Sequence, residues 1–302
     1  MDYDIAIIGA GAAGLTAAIY AVRAGKKTAV FEKLVAGGQI VNTPKISNYP
    51  GTPGISGAAW SQALEKQASD LGAEMIYDEV LQLEQVDNGF KLSTEDESYT
   101  ARTVIVATGL NERKMEVPGE AKFIGRGVSF CATCDGSFYK DKTVAVVGGG
   151  NTALSDALYL SDLAKKVYLV HRRTEFRGEF ALQEKIKTHK NVELVLGYMP
   201  IEVVGDKHVT GLKIREREGT LEKTLGVDGI FVAVGKIPSN QLIADLVELD
   251  EAGYAITDDR CSTKTPGLFV AGDGRVKELR QLVTATADGA ISASSASEYL
   301  QN

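Results

Sequence analysis

YDIAIIGAGAAGLTAAIYAVRAGKKTAVFE, residues 3–32, is the stretch whose reading decides the fold. Tyr3 to Ile8 is a short β-rich apolar run of the kind buried on both faces in a parallel sheet. Gly9-Ala10-Gly11-Ala12-Ala13-Gly14 follows, then a helical segment from Leu15 to Arg23, then a second apolar run, Thr28 to Phe31, closed by Glu32. This is a βαβ unit. In such a turn the first glycine permits a tight bend, the second lets backbone approach a pyrophosphate, and the third allows close helix packing, with phosphate at the positive helix end. An acidic residue about 20 positions on accepts a ribose hydroxyl, and Glu32 stands there. Three glycines at this spacing are weak evidence alone; strand, helix and carboxylate in order make a dinucleotide site the expectation. Ile5 to Val22 carries no charge and is long enough to span a bilayer. Asp2 and Asp4 ahead of it and glycines within it argue instead for strand, turn and helix.

The middle of the chain repeats the pattern. Thr143 to Val147 reads as a strand, Gly148-Gly149-Gly150-Asn151-Thr152-Ala153 as the turn, Leu154 to Ala164 as a helix and Val167 to Val170 as the next strand. At the ribose-reading point this copy carries His171-Arg172-Arg173, with Arg177 close behind. A carboxylate suits a 2′-hydroxyl, whereas guanidiniums clamp a 2′-phosphate. The first site is therefore read for FAD and the second for NADPH, since a flavin accepts a hydride and passes on two electrons. Val104-Ile105-Val106-Ala107-Thr108-Gly109 and Ile230 to Gly235 close the two halves, and Leu268 to Val270, before Ala271-Gly272-Asp273, suggests that the first domain resumes. The expected fold class is α/β, two three-layer Rossmann-like domains with the second inserted into the first. Boundaries are expected at 1–116 with 239–302, and 117–238, with Val117-Pro118-Gly119 and Gly235 to Pro238 as linkers and hinges.

Cys131-Ala132-Thr133-Cys134-Asp135 lies just before the second turn. A dithiol takes up two electrons, the number a hydride delivers. A zinc site would need two further ligands, and only Cys261 and three histidines remain, so no metal is expected. Asp135 is a candidate proton shuttle or a turn residue before Gly136; Cys261 reads as a structural thiol.

Composition agrees. With 302 residues, two domains are expected at about 150 residues each. The hydrophobic share of 44% and the charged share of 24% set disorder aside. A net charge of −7 argues against nucleic acid or an anionic membrane as partner, and 3 cysteines suggest a reducing, cytoplasmic setting.

Together these motifs, over essentially the whole chain, resemble the bacterial low-molecular-weight NADPH-dependent thioredoxin reductases. The resemblance implies a homodimer acting on thioredoxin or a thioredoxin-like protein, with Cys134 facing the flavin, Cys131 attacking the substrate disulfide and Asp135 as acid. For FAD it implies Gly9, Gly11, Ala12, Ala13, Gly14, Glu32, Lys33, Gly38, Gln39, Asn48, Ala107, Thr108, Gly109, Gly272, Asp273, Arg280, Gln281 and Leu282. For NADPH it implies Gly148, Gly150, Asn151, Thr152, Ala153, His171, Arg172, Arg173 and Arg177. Ser155-Asp156, Gly274 and Leu282 depart from the family pattern. A flavin-dependent dithiol oxidase and a ferredoxin-dependent thioredoxin reductase are the alternatives within the same chemistry, and neither needs the arginines; a flavin-bearing redox sensor or adaptor lies outside it and would show binding without turnover.

Overall fold

The computed structural model describes every residue except Pro44, Ser47, Pro53 and Asn302. It divides into two compact units, Met1–Asn111 with Ile237–Asn302, and Glu112–Lys236 between them. The chain crosses at two short strands, β7 (Leu110–Glu112) and β16 (Lys236–Pro238), which pair with each other. The first crossing precedes the expected linker because Val117-Pro118-Gly119 is built into the second unit. Val203 N–H donates to the Pro118 carbonyl at 2.9 Å. Gly119, at φ 85°, lies so close that a Cβ would meet the Val203 carbonyl oxygen at 2.2 Å.

In the first unit β1 (Tyr3–Ile8), β2 (Thr28–Phe31), β3 (Glu74–Ile76), β6 (Ser98–Val106) and β17 (Leu268–Val270) are parallel, in the order β3-β2-β1-β6, with β17 also on β6. The hairpin β4 (Gln82–Val86) and β5 (Gly89–Ser93) adds antiparallel to β6. Ile5, Ile7, Val30, Ile105 and Phe269 face α1 (Ala12–Arg23) and α7 (Leu282–Tyr299). Ala6, Ile8, Phe31, Val104 and Val270 face the other way, under Leu83, Phe90 and Leu92 of the hairpin and Ile243 and Val247. Burial on both faces is the reason these strands read as unbroken apolar runs. The alanines of α1 let α7 approach: a Cβ on Gly289 would lie 2.2 Å from the Ala13 carbonyl oxygen. The third helix, α2 (Gly57–Asp70), is capped by Ser56, whose Oγ accepts from Ala59 N–H.

The second unit repeats the scheme. Its parallel sheet runs β11-β10-β9-β15-β8, with β8 (Val128–Ser129), β9 (Thr143–Gly148), β10 (Lys166–His171), β11 (Val192–Leu196) and β15 (Gly229–Ala233). Helices α5 (Asn151–Ser161) and α6 (Phe180–Lys187) cover one face through Leu154, Ala157, Leu160 and Ile186. An antiparallel sheet of β12 (Tyr198–Gly205), β13 (Val209–Glu216) and β14 (Glu222–Gly226) covers the other through Leu212, Ile214 and Leu225. The remaining helices, α3 (Glu120–Phe123) and α4 (Ala132–Asp135), are single turns. Both units are thus Rossmann-like, with helices, a parallel sheet and a smaller antiparallel element in layers.

Candidate active site

The first glycine turn sits between β1 and α1, and each glycine has its own steric reason. Gly9, at φ 102°, would drive a Cβ to 2.6 Å from the Ala107 carbonyl oxygen. Gly14 would drive one to 1.8 Å from the Gly9 carbonyl oxygen, whereas a Cβ on Gly11 meets nothing within 4 Å. The turn is therefore tight on the protein side and open where a phosphate would lie. Glu32 closes the site. Its Oε2 accepts from Ala10 N–H at 3.0 Å and its Oε1 from Leu34 N–H at 3.0 Å, fixing a carboxylate with lone pairs to spare.

Other sequence-predicted residues gather around this turn. Ala107, Thr108 and Gly109 follow β6, and a Cβ on Gly272 would stand 3.0 Å from that of Ala13. Gly37 N–H donates to the Ala10 carbonyl at 2.7 Å, drawing Gly38 against Gly11. Gln39 Nε2 donates to the Leu110 carbonyl. Asn48 Nδ2 donates to Gln281 Oε1 at 3.0 Å, and Gln281 caps α7, whose first residue is Leu282. Arg280 lies over the Tyr254 ring, 4.0 Å from its centroid, and its Nε donates to the Asp273 carbonyl at 3.3 Å. Lys33 points elsewhere, to Glu79 at 3.4 Å.

The loop carrying Gly272 and Asp273 is held by a buried charge cluster that the sequence does not announce. Asp288 on α7 accepts from Gly272 N–H at 3.0 Å, from Arg275 Nε and Nη2 at 2.9 and 2.8 Å, and from Lys277 Nζ at 2.7 Å. Burial opposes the charge on Asp288, but the Arg275 and Lys277 hydrogen bonds win and hold its carboxyl below the ordinary range. Cys261 lies beneath, fully buried at φ 62°, its Sγ toward the Asp288 carbonyl. Burial pushes its thiol up to about 12.

The second turn, between β9 and α5, has the same form. Gly148 would clash with the Ala233 carbonyl oxygen at 2.2 Å, and a Cβ on Gly150 meets nothing within 4 Å. Ala153 replaces the third glycine and is buried. Asn151 and Thr152 are exposed on the first turn of α5, where Asn151 Nδ2 donates to Glu179 Oε1 at 2.9 Å and Asn151 Oδ1 accepts from Glu179 N–H. His171, unlike the arginines beside it, is set into the core of the unit. Its ring is buried, stacked on Phe176 and wedged against Gly149. Burial, opposed by a backbone hydrogen bond at Glu175 and helped by Arg172, Arg173 and Arg177, holds its proton affinity below that of a free imidazole. Its Nε2 is buried and meets no hydrogen-bond partner among the described residues. The cations of this strand end are the exposed Arg172, Arg173 and Arg177.

The dithiol lies in the same unit. Cys131 and Cys134 form a disulfide across the single turn of α4. Cys131 is half-buried and its Sγ accepts from Cys134 N–H at 3.2 Å; Cys134 is exposed. Ser129, at the end of β8, is the residue the sequence reading missed. Its buried hydroxyl donates to Asp135 Oδ2 at 2.6 Å and accepts from Cys131 N–H at 3.1 Å. A serine two residues before the first cysteine carries no motif, and only the fold ties it to Asp135.

Comparison with known proteins bears on this arrangement. The pyridine nucleotide-disulphide oxidoreductase family model matches residues 3–289. The thioredoxin reductase of Treponema pallidum is 41% identical over 301 residues, covering 99% of this chain and 97% of that protein. The crystal structure of Lactococcus lactis thioredoxin reductase superposes with a TM-score of 0.92 at 38% identity, covering 99% of both chains. That of T. acidophilum thioredoxin reductase gives 0.90 at 36% identity, covering 100% of this chain and 99% of that one. The chain belongs to the pyridine nucleotide-disulphide oxidoreductase family, as a thioredoxin reductase.

Proposed function

We propose that the first unit holds FAD, the second NADPH, and that the Cys131–Cys134 pair carries electrons on to an oxidised thioredoxin, the working protein being a homodimer. The observation that carries this reading is the contrast between two open glycine turns, one answered by a fixed carboxylate at Glu32 and the other by the exposed guanidiniums of Arg172, Arg173 and Arg177. The residues present suit these groups. Gly11 and Gly150 leave room for backbone to meet a pyrophosphate. Glu32 keeps acceptor capacity for a ribose hydroxyl. The orphaned His171 Nε2, beside Gly149, is a buried polar atom that a dinucleotide can satisfy. A flavin held at the first turn by Gly11 and Glu32 would supply two-electron chemistry linking a nicotinamide at the second turn to the disulfide.

Once reduced, Cys131 is the better nucleophile, because the Cys134 N–H that donates to its Sγ stabilises a thiolate there. Cys131 attacks one sulfur of the substrate disulfide; that S–S bond breaks and its second sulfur leaves as a thiolate. Cys134 then attacks Cys131 in the mixed disulfide, re-forming the Cys131–Cys134 bond and releasing the substrate dithiol. Asp135 is oriented by Ser129, whose hydroxyl also accepts from the Cys131 backbone N–H, and this fixes the carboxylate next to the dithiol turn as the candidate group that protonates the leaving thiolate.

Anaerobic titration of the flavin-loaded protein tests the relay. NADPH is expected to bleach the flavin and NADH to do so far less efficiently. Oxidised thioredoxin is then expected to restore the colour, and Cys134→Ser to trap a mixed disulfide through Cys131. Bleaching by reduced ferredoxin but not NADPH overturns the nucleotide assignment, and failure of thioredoxin to reoxidise the protein overturns the substrate assignment.

A further inference from the structure

We propose that Arg217 is a fourth guanidinium of the 2′-phosphate site and sets part of the preference for NADPH over NADH, an inference that rests on the NADPH reading above. Arg217 is distant in sequence, in the turn between β13 and β14 that Glu216 N–H and the Leu221 carbonyl close. Backbone hydrogen bonds tie this turn to the strand end. Arg217 N–H donates to the Gly197 carbonyl at 2.8 Å, and Gly197 N–H donates to the Arg173 carbonyl at 3.1 Å. The antiparallel sheet that covers the far face of the unit thereby delivers an exposed arginine beside Arg173.

The side chains report the same proximity. Arg177 first, then Arg172 and Arg217, lower the proton affinity of Arg173. None of these four arginines forms an ion pair among the described residues. Nearby carboxylates are engaged elsewhere: Glu216 accepts from the Tyr198 hydroxyl at 3.2 Å and Glu179 from Asn151 at 2.9 Å. Four like charges drawn together by backbone bonds, in a chain whose net charge is −7, form a local positive field that favours a multivalent anion. A phosphate monoester at the ribose 2′ position carries nearly two charges and three acceptor oxygens, more than one bidentate guanidinium satisfies. Arg172 and Arg173 leave β10 as neighbours and cannot surround it from one side; Arg217 approaches from another element.

The test compares adenosine 2′,5′-bisphosphate with 5′-AMP by isothermal titration into the flavin-loaded protein, together with the NADPH to NADH ratio of kcat/KM. Wild type, Arg217→Ala, Arg217→Lys and the paired Arg172→Ala, Arg173→Ala variant are measured. Arg217→Ala is expected to lower the ratio of bisphosphate to AMP affinity about three- to tenfold, the size of one charge-assisted contact at an exposed site. The NADPH to NADH ratio is expected to fall by the same factor, with Arg217→Lys in between. An equal loss for both nucleotides, or no loss, overturns the role of Arg217. If wild type binds both nucleotides alike, the NADPH reading fails and this inference falls with it. If wild type discriminates, the paired variant does not and Arg217→Ala is silent, only Arg217 is at fault.

Discussion

The two halves of the chain use one backbone device and opposite electrostatics. At β1–α1 and at β9–α5 the first glycine is forced by a carbonyl of the neighbouring strand, from Ala107 in one case and Ala233 in the other, and the middle glycine faces open space. After that the copies diverge. The first spends a carboxylate on its own backbone, with Glu32 tying down Ala10 and Leu34. The second leaves its arginines exposed, without ion pairs among the described residues, and buries a histidine beneath the turn. Backbone geometry is what a dinucleotide turn shares; the charge at the end of the second strand is free to vary and so selects the nucleotide.

The third turn position breaks this comparison most sharply. Gly14→Ala places a methyl 1.8 Å from the Gly9 carbonyl oxygen, so a cost of about 3 kcal/mol or more is expected, with loss of retained flavin. A thermal melt and the flavin-to-protein absorbance ratio check it. Glu32→Ala strips the Ala10 and Leu34 amides of their acceptor and is expected to cost about 2 kcal/mol, read from urea unfolding, whereas Arg172→Ala is expected to leave stability unchanged because its exposed side chain makes no ion pair among the described residues.

The helices following the turns offer a test in pH. Counting from the middle glycine, Ala17 on α1 corresponds to Asp156 on α5. Ala17 is fully buried; burial, with Glu112 adding and Lys236 opposing, pushes the Asp156 carboxyl up to about 6. Between its ordinary value of 3.8 and about 6 the folded state binds more protons than the unfolded chain, so stability falls as pH rises through that window. Asp156→Asn is expected to exceed the parent by about 3 kcal/mol near pH 8, at about 1.4 kcal/mol per pKa unit, and to lose the advantage below about pH 4. Parallel melts at the two extremes decide it. A smaller effect is expected for Ala153→Gly, which restores the glycine that the first turn requires and costs about 1 kcal/mol through helix propensity, read from a thermal melt.

The parallel core was legible because strands buried on both faces, such as Val144 to Val147, leave a signal that needs no partner to interpret. The layers of antiparallel strand were not. Phe90 and Leu92 alternate with polar neighbours over five residues, and the strands of the β12–β14 sheet are likewise marked by what they cover rather than by a motif. The same holds for the site. Glycines and cysteines constrain backbone or chemistry locally and announce themselves by spacing, so the turns and the dithiol were readable. Ser129, Asp288 and Arg217 act on segments far along the chain or outside any pattern, and only the fold brings them to bear. The burial of His171 was not legible either, because sequence shows its basic neighbours but not the packing of its ring on Phe176.

Cys261 has a practical consequence for following the dithiol. With no exposed surface and a thiol that ionises only about pH 12, it offers alkylating reagents neither access nor thiolate. In the folded protein the labelled sulfur is then that of Cys131 and Cys134 alone, so thiol labelling without denaturant counts the electrons stored in the active disulfide directly: none when it is oxidised, a pair when it is reduced.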